Sequence, residues 1–265
     1  MESSISDHVK EGDYVIIFLN SQKNWLVKVE PSKSFHTHRG LLNFDSIIGL
    51  EYGFPVTTSL SERMWILKPT MLDLILKSRR LTQIVYPKDL GIIAAKTGLS
   101  SGKIVVESGT GSGALTIFAA NLVRPSGHVF SFEVRPEFLK IAEKNIAFAG
   151  LNENITLKLC DAKEGLGLTG ADIALVDVGD PWTLVNSMRN ALKGGGILAA
   201  ISPTMNQIEK LTTELLECGF IDIENLEVIV RNIEARPGKT RPSMRMIGHT
   251  AYLTFARKVF KTDKD

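Results

Sequence analysis

Short apolar and β-branched runs open the chain. Residues 13–19 (DYVIIFL) and 25–29 (WLVKV) read as strands on either side of a turn-like SQKN. Phe35-His-Thr-His-Arg-Gly-Leu-Leu, Ser46-Ile-Ile-Gly and Gly53-Phe-Pro follow, each punctuated by glycine or proline. Strands this short, at this spacing, predict a small antiparallel sheet or barrel. Residues 60–80 read as a helical connector ending in Lys77, Arg79 and Arg80. The pattern then changes. A helix is predicted from Pro87, carrying apolar Leu90, Ile93 and Ala94 and stopping near Gly98, because proline suits a first turn and glycine a last. Strands are predicted at 103–107, 128–134, 155–160, 173–178 and 197–201. Helices are predicted at 114–123, 136–149, 182–192 and 205–217, with Gly150, Gly194 to Gly196 and Gly219 as stops. Strands that alternate with helices predict an α/β fold with a parallel sheet covered on both faces. Two further strand patterns, 221–234 and 250–259, have no helix between them and predict a hairpin at the sheet edge.

Composition narrows the class without changing this picture. The 265 residues are 44% hydrophobic and 23% charged, which excludes wholesale disorder. A net charge of +2 supplies no global attraction for nucleic acid, so any basic face is local. Cys160 and Cys218 exclude a disulfide scaffold and have no zinc spacing. The sequence leaves open a disulfide involving either. No apolar run approaches the ~20 residues that span a bilayer, and the N-terminus lacks a signal-type apolar core. A soluble cytoplasmic protein is expected. His36 and His38 alternate along one strand pattern, but no further ligands lie nearby and no metal site is predicted.

The most informative stretch is Glu107-Ser-Gly109-Thr-Gly111-Ser-Gly113, between a strand and a helix. Glycines there let the backbone turn sharply and approach a ligand closely, and the helix N-terminus points N–H groups into the crevice. Glu133 ends the second strand of the alternating region, where a carboxylate can bind both ribose hydroxyls of a nucleoside. Asp161 ends the third, placed to accept from an adenine amino group, and Asp177 ends the fourth. Ligands of parallel sheets bind beyond the carboxyl ends of the strands, so these four acids are expected on one crevice. Spacing alone does not separate a dinucleotide from S-adenosylmethionine. Glu107 favours the latter, since a carboxylate there would repel a pyrophosphate and suit a cationic amino-acid end.

Four segments give the chain a family resemblance. They are Thr82-Gln-Ile-Val-Tyr86-Pro-Lys-Asp89, Glu107-Ser-Gly-Thr-Gly-Ser-Gly113-Ala114, Asp177-Val-Gly-Asp-Pro181-Trp182, and Arg241-Pro-Ser-Met-Arg245-Met-Ile-Gly248-His249-Thr250. Together they resemble the tRNA (adenine-N1)-methyltransferases that modify the T-loop, the archaeal and bacterial homo-oligomeric kind, along nearly the whole chain. The resemblance implies a Rossmann-like class I methyltransferase domain over 71–265, a small N-terminal β domain over 1–70, and a homotetramer. It implies that Thr82, Gln83, Ile84, Val85 and Tyr86 contact S-adenosylmethionine, as do Glu107, Ser108, Gly109, Thr110, Gly111, Ser112, Gly113 and Ala114. Glu133 would hold the ribose and Asp161 with Ala162 the adenine. Asp177 would sit between the donor and the target base, which is adenine 58 and, in archaeal members, also 57. A second carboxylate, Asp180, stands just before Pro181; the main role goes to Asp177, which directly ends its strand, and Asp180 reads as a helix cap.

The chemistry expected of these residues is alignment of the target nitrogen with an activated methyl, with Asp177 accepting from the exocyclic amine of the target. Tyr86 would help frame the base pocket. Arg231, Arg236, Lys239, Arg241 and Arg245 cluster against one acid, Glu234, and are expected to hold RNA phosphates. Three alternatives stay open: a small-molecule methyltransferase of the corrin or tetrapyrrole type, a non-catalytic RNA-binding subunit, and a nicotinamide dehydrogenase, which Glu107 disfavours.

Overall fold

A computed structural model describes residues 7–80 and 83–260. The chain divides into two compact units, 1–78 and 79–265. In the first, strands β1 (Tyr14–Asn20), β2 (Lys23–Lys28), β5 (Pro55–Thr57) and β6 (Arg63–Leu67) form an antiparallel sheet in the order β2-β1-β6-β5. Strands β3 (Ser34–Thr37) and β4 (Gly40–Asn43) pair separately as a hairpin. Successive side chains of a strand face opposite sides, and Val15, Ile17, Met64 and Ile66 close a core with Val9, Val29, Leu42, Phe44 and Ile47. Trp25 packs at its edge against Phe35, with ring centroids 5.4 Å apart. The connector expected over 60–80 is not one helix. Its first part is β6, and helix α1 (Met71–Lys77) begins only after Thr70. There the Thr70 hydroxyl accepts from the Asp73 amide at 3.1 Å and the Asp73 carboxylate accepts from the Thr70 amide at 2.9 Å, a reciprocal capping pair.

The second unit opens with α2 (Pro87–Thr97) and continues through β7 (Ile104–Ser108), α3 (Ala114–Val123), β8 (His128–Glu133), α4 (Pro136–Ala149) and β9 (Ile155–Leu159). It continues with β10 (Ala171–Val176), α5 (Val185–Ala191), β11 (Leu192–Ser202), α6 (Met205–Glu217) and β12 (Phe220–Glu227). Two short arms, β13 (Ile233–Glu234) and β14 (Arg241–Pro242), pair with each other before β15 (Tyr252–Lys258). The sheet order is β12-β15-β11-β10-β7-β8-β9. Strands β11, β10, β7, β8 and β9 are parallel, and β15 pairs antiparallel with both neighbours. Ala174 and Val176 of β10 join a cluster with Val185, Met188, Leu211 and Leu215 of α5 and α6. Ile173 and Leu175, equally buried, face the other side, where α2, α3 and α4 pack on one another. This is a Rossmann-like α/β fold with a small N-terminal β domain. No helix among the described residues is long and apolar enough to cross a membrane.

The structure corrects three further expectations. The closing strands do pair, but β15 inserts between β11 and β12, so the later strand is interior and β12 is the edge. Gly194 to Gly196 do not stop a helix; α5 ends at Ala191 and the glycines lie within β11. The segment 181–191 is a 3-10 turn, Pro181–Leu184, followed by α5. Cys160 and Cys218 are free thiols.

Candidate active site

The chain runs from β7 outward to β9, then returns to the other side of β7 for β10, which makes the ends of β7 and β10 a topological switch point. A cavity of about 550 Å³ lies there. The loop after β7 shapes it. Gly109, Gly111 and Gly113 have φ of 96°, 54° and 84°, the left-handed region that glycine enters without strain. Gly109 has a second constraint. A Cβ on it would stand 2.0 Å from the carbonyl oxygen of Asp177, so the loop can cross the end of β10 only without a side chain. The amide of Asp177 donates to the Ser108 carbonyl at 2.9 Å and extends the β7–β10 pairing to the cavity edge.

Gln83, Ile84, Val85, the loop residues 108–112, Ala114, Glu133, Asp161, Ala162 and Asp177 line this cavity. Glu133 is buried, and three backbone amides hold it. Gly111 donates to Oε2 at 2.8 Å, and Val134 and Arg135 donate to Oε1 at 2.9 and 3.0 Å. Its carboxylate is thereby fixed against the loop. Asp161 is exposed at the rim and accepts from the Lys163 amide through Oδ1 at 2.9 Å. Burial pushes the Asp177 carboxyl up to about 6. Asp180 differs. Its carboxylate pairs with Lys163 Nζ at 2.7 Å, which holds it below the usual range, and it takes the Thr183 hydroxyl at 3.3 Å rather than capping a backbone amide of the turn it precedes.

Glu107 lies elsewhere than the crevice argument required. It is fully buried and lines neither cavity. One oxygen accepts from Thr116 Oγ1 at 2.5 Å, and the other, Oε1, has no partner. Burial, reinforced by Asp177 and Glu133 and opposed by the hydroxyls of Ser131 and Thr116, raises its carboxyl to about 8. An oxygen without a donor in a dry interior disfavours the ionised form, which is the direction of this shift. As a residue on neither cavity wall, it faces no ligand across open space. Gly113, the residue before α3, is also off the wall. Thr82 lies outside the described residues.

A second cavity of about 190 Å³ adjoins the first, sharing Gln83, Ile84, Val85, Asp177, Ile201 and Pro203 with it. Tyr86 lines only this smaller cavity, together with Asp89, Thr250 and Ala251. Ile201 and Pro203 were missed by reading the sequence. They sit at the end of β11, and the rule that ligands gather at strand ends would have flagged them.

The family described as tRNA methyltransferase complex GCD14 subunit matches residues 63–241. The chain belongs to that family. Residues 8–56 match a second description, TrmI-like N-terminal. Among curated relatives, the tRNA (adenine(57)-N(1)/adenine(58)-N(1))-methyltransferase TrmI of Methanocaldococcus jannaschii is 34% identical over 92% of this chain and 94% of its own. A crystal structure named as a SAM-dependent O-methyltransferase from Thermotoga maritima is 38% identical, with a TM-score of 0.92 over 98% of each chain. The crystal structure of tRNA (m1A58) methyltransferase TrmI from Aquifex aeolicus is 34% identical, with a TM-score of 0.83 over 96% of this chain and all of that one. Within the GCD14 family chain, the larger cavity fits S-adenosylmethionine. The loop is open to close approach through its glycines, and carboxylates stand at the wall and the rim for a nucleoside. A volume of about 550 Å³ is that of an ordinary small-molecule site.

Proposed function

We propose that this chain transfers the methyl group of S-adenosylmethionine to N1 of an adenine in the tRNA T-loop, at position 58 and, like its archaeal relative by name, at 57. The observation that carries the reading is the position of Asp177. Asp177 borders both cavities, the larger one suited to a nucleoside donor and the smaller one framed by Tyr86. When bound, S-adenosylmethionine supplies a methyl carbon on a cationic sulfur, and the N1–methyl bond forms as the carbon–sulfur bond breaks.

The residues do the rest by binding and orienting. Glu133, held by three amides, accepts from the ribose hydroxyls, and Asp161 accepts from the donor's adenine amine. Asp177 accepts from the exocyclic amine of the target base, which turns N1 toward the methyl and offsets the positive charge that grows on the ring. Help aimed at charge that appears only in the transition state accelerates the step rather than merely binding substrate. With its carboxyl at about 6, Asp177 is mostly ionised at pH 7 and serves as an acceptor. N1 lies on the Watson–Crick edge, so the adenine leaves its stack to enter, and Tyr86 borders the space it enters.

Arg231, Arg236, Lys239, Arg241 and Arg245 are all exposed, on a segment folded back by the β13–β14 pairing, in which Arg241 meets Glu234 at 3.4 Å. They supply phosphate contacts. Ile229, Val230, Met244, Met246 and Ile247 are exposed in the same segment. Apolar surface of this extent on one stretch supports assembly, and the assembly proposed is a homotetramer. The test supplies purified protein with methyl-labelled donor and unmodified tRNA, followed by nucleoside analysis. Labelled 1-methyladenosine is expected. Label in a ribose O-methyl group or in another base refutes the target, and no labelled tRNA refutes the reading.

A further inference from the structure

Asp89 sits in the first turn of α2, is only 1% exposed, and spends both oxygens on side chains. Lys88 Nζ lies 2.8 Å from Oδ1, and Thr250 Oγ1 donates to Oδ2 at 2.8 Å. The second bond joins residues 161 positions apart. The neighbour of Thr250 is tied down from the other side. His249 Nδ1 is 2.7 Å from Glu227 Oε1, and its Nε2 is 3.0 Å from the Pro203 carbonyl oxygen. Both ring nitrogens face acceptors, and the bond to Glu227 holds the ring's pKa above its ordinary value; the ring packs at a tilt of 43° against Tyr252, with centroids 4.5 Å apart. Two consecutive residues thus staple the C-terminal segment to α2, to the end of β12 and to the turn after β11. Three of the atoms' owners, Asp89, Thr250 and Pro203, are walls of the smaller cavity.

A buried charge pair is weak evidence for stability, because apolar residues of the same volume would serve as well. What the Asp89–Thr250 bond supplies is a fixed distance between two cavity walls that no local sequence could set. We propose that Asp89 and Thr250 are positioning residues for the methyl acceptor: their hydrogen bond sets the shape of the smaller cavity and so where the target base comes to rest beside Asp177. This rests on the reading that the smaller cavity receives that base.

Thr250→Val removes the donor and keeps the shape, and Thr250→Ser keeps the donor. In single-turnover assays with tRNA at saturating donor, Thr250→Val should lose roughly ten- to a hundredfold in rate, with donor dissociation constant within about twofold of the parent and Thr250→Ser recovering most of the loss. Asp89→Ala, which removes the acceptor of the Thr250 hydroxyl, should show the same split between turnover and donor binding. It decides the matter if the valine variant does not fold. Valine and alanine variants that turn over at the parental rate overturn the inference while leaving the functional reading intact. So does a loss of donor binding in step with turnover, which would mark a general structural role. A parent protein that binds the donor and methylates no tRNA adenine overturns the functional reading first, and this inference with it.

Discussion

The two cavities that meet at Asp177 are built by opposite means. The larger takes its walls from the ends of β7, β8 and β10 and from one continuous glycine loop, and its key carboxylate, Glu133, is fixed by three backbone amides within reach of its own strand end. The smaller takes its walls from 83–89, from the end of β11 and from 250–251, joined by side-chain bonds across most of the second unit. A site held by backbone amides and strand ends tolerates exchange of many side chains. A site held by side-chain staples depends on each hydroxyl and carboxyl that makes them.

The largest expected effect tests the backbone-built side. Gly109→Ala drives a methyl into the Asp177 carbonyl at a φ that alanine avoids. Donor binding measured by calorimetry should be lost, and the unfolding free energy should fall by about 3 kcal/mol. A variant that binds donor normally would show that the loop is not rigid.

Next comes the shared wall. Asp177→Ala should cut turnover per bound donor by about a hundredfold while donor affinity stays within about threefold. The parent's kcat/KM for tRNA should fall about tenfold per pH unit below the carboxyl value of about 6 and level off above it, because protonation removes the acceptor. A pH profile flat from 5 to 8 would remove Asp177 from the chemistry.

A smaller effect concerns the acid beneath the loop. The folded-state value of Glu107, about 8, lies above its ordinary 4.5. Between those pH values the folded state holds a proton that the unfolded state has released. Stability therefore falls as pH rises through the window, by up to about 1.4 kcal/mol per unit, and levels off above it. Glu107→Gln cannot ionise, so urea unfolding at pH 5 and pH 8 should show the parent losing more stability than the variant. Parallel losses would mean that Glu107 is ionised throughout.

The mildest change lies outside both cavities. Replacing Arg236 and Lys239 by alanine should weaken tRNA binding several-fold and flatten its log–log salt dependence by about one for each side chain removed. An unchanged slope would free those residues from any phosphate role.

Much of the fold was legible because alternation and punctuation are local. Pro87, Gly98 and Gly150 mark the helix ends that the structure has, and the parallel core of the sheet follows from the βα repeats. The errors came where partners decide. Residues 63–67 carry no marker that separates a strand from a connector; they are a strand because β1 and β5 flank them. Glycines 194–196 look like a stop but lie within β11, in the register shift between its Leu192 and Ile197 pairings with β10.

The sequence by itself determined the crevice: a glycine turn after a buried strand, and acids at the ends of the strands beside it, follow from spacing because parallel strands end together. Only the tertiary structure decided that Glu107 is buried rather than a wall of the crevice, since burial depends on what covers a residue. It alone decided that Asp89 and Thr250 touch, because a hydrogen bond between such distant positions is fixed by packing and by nothing written near either one.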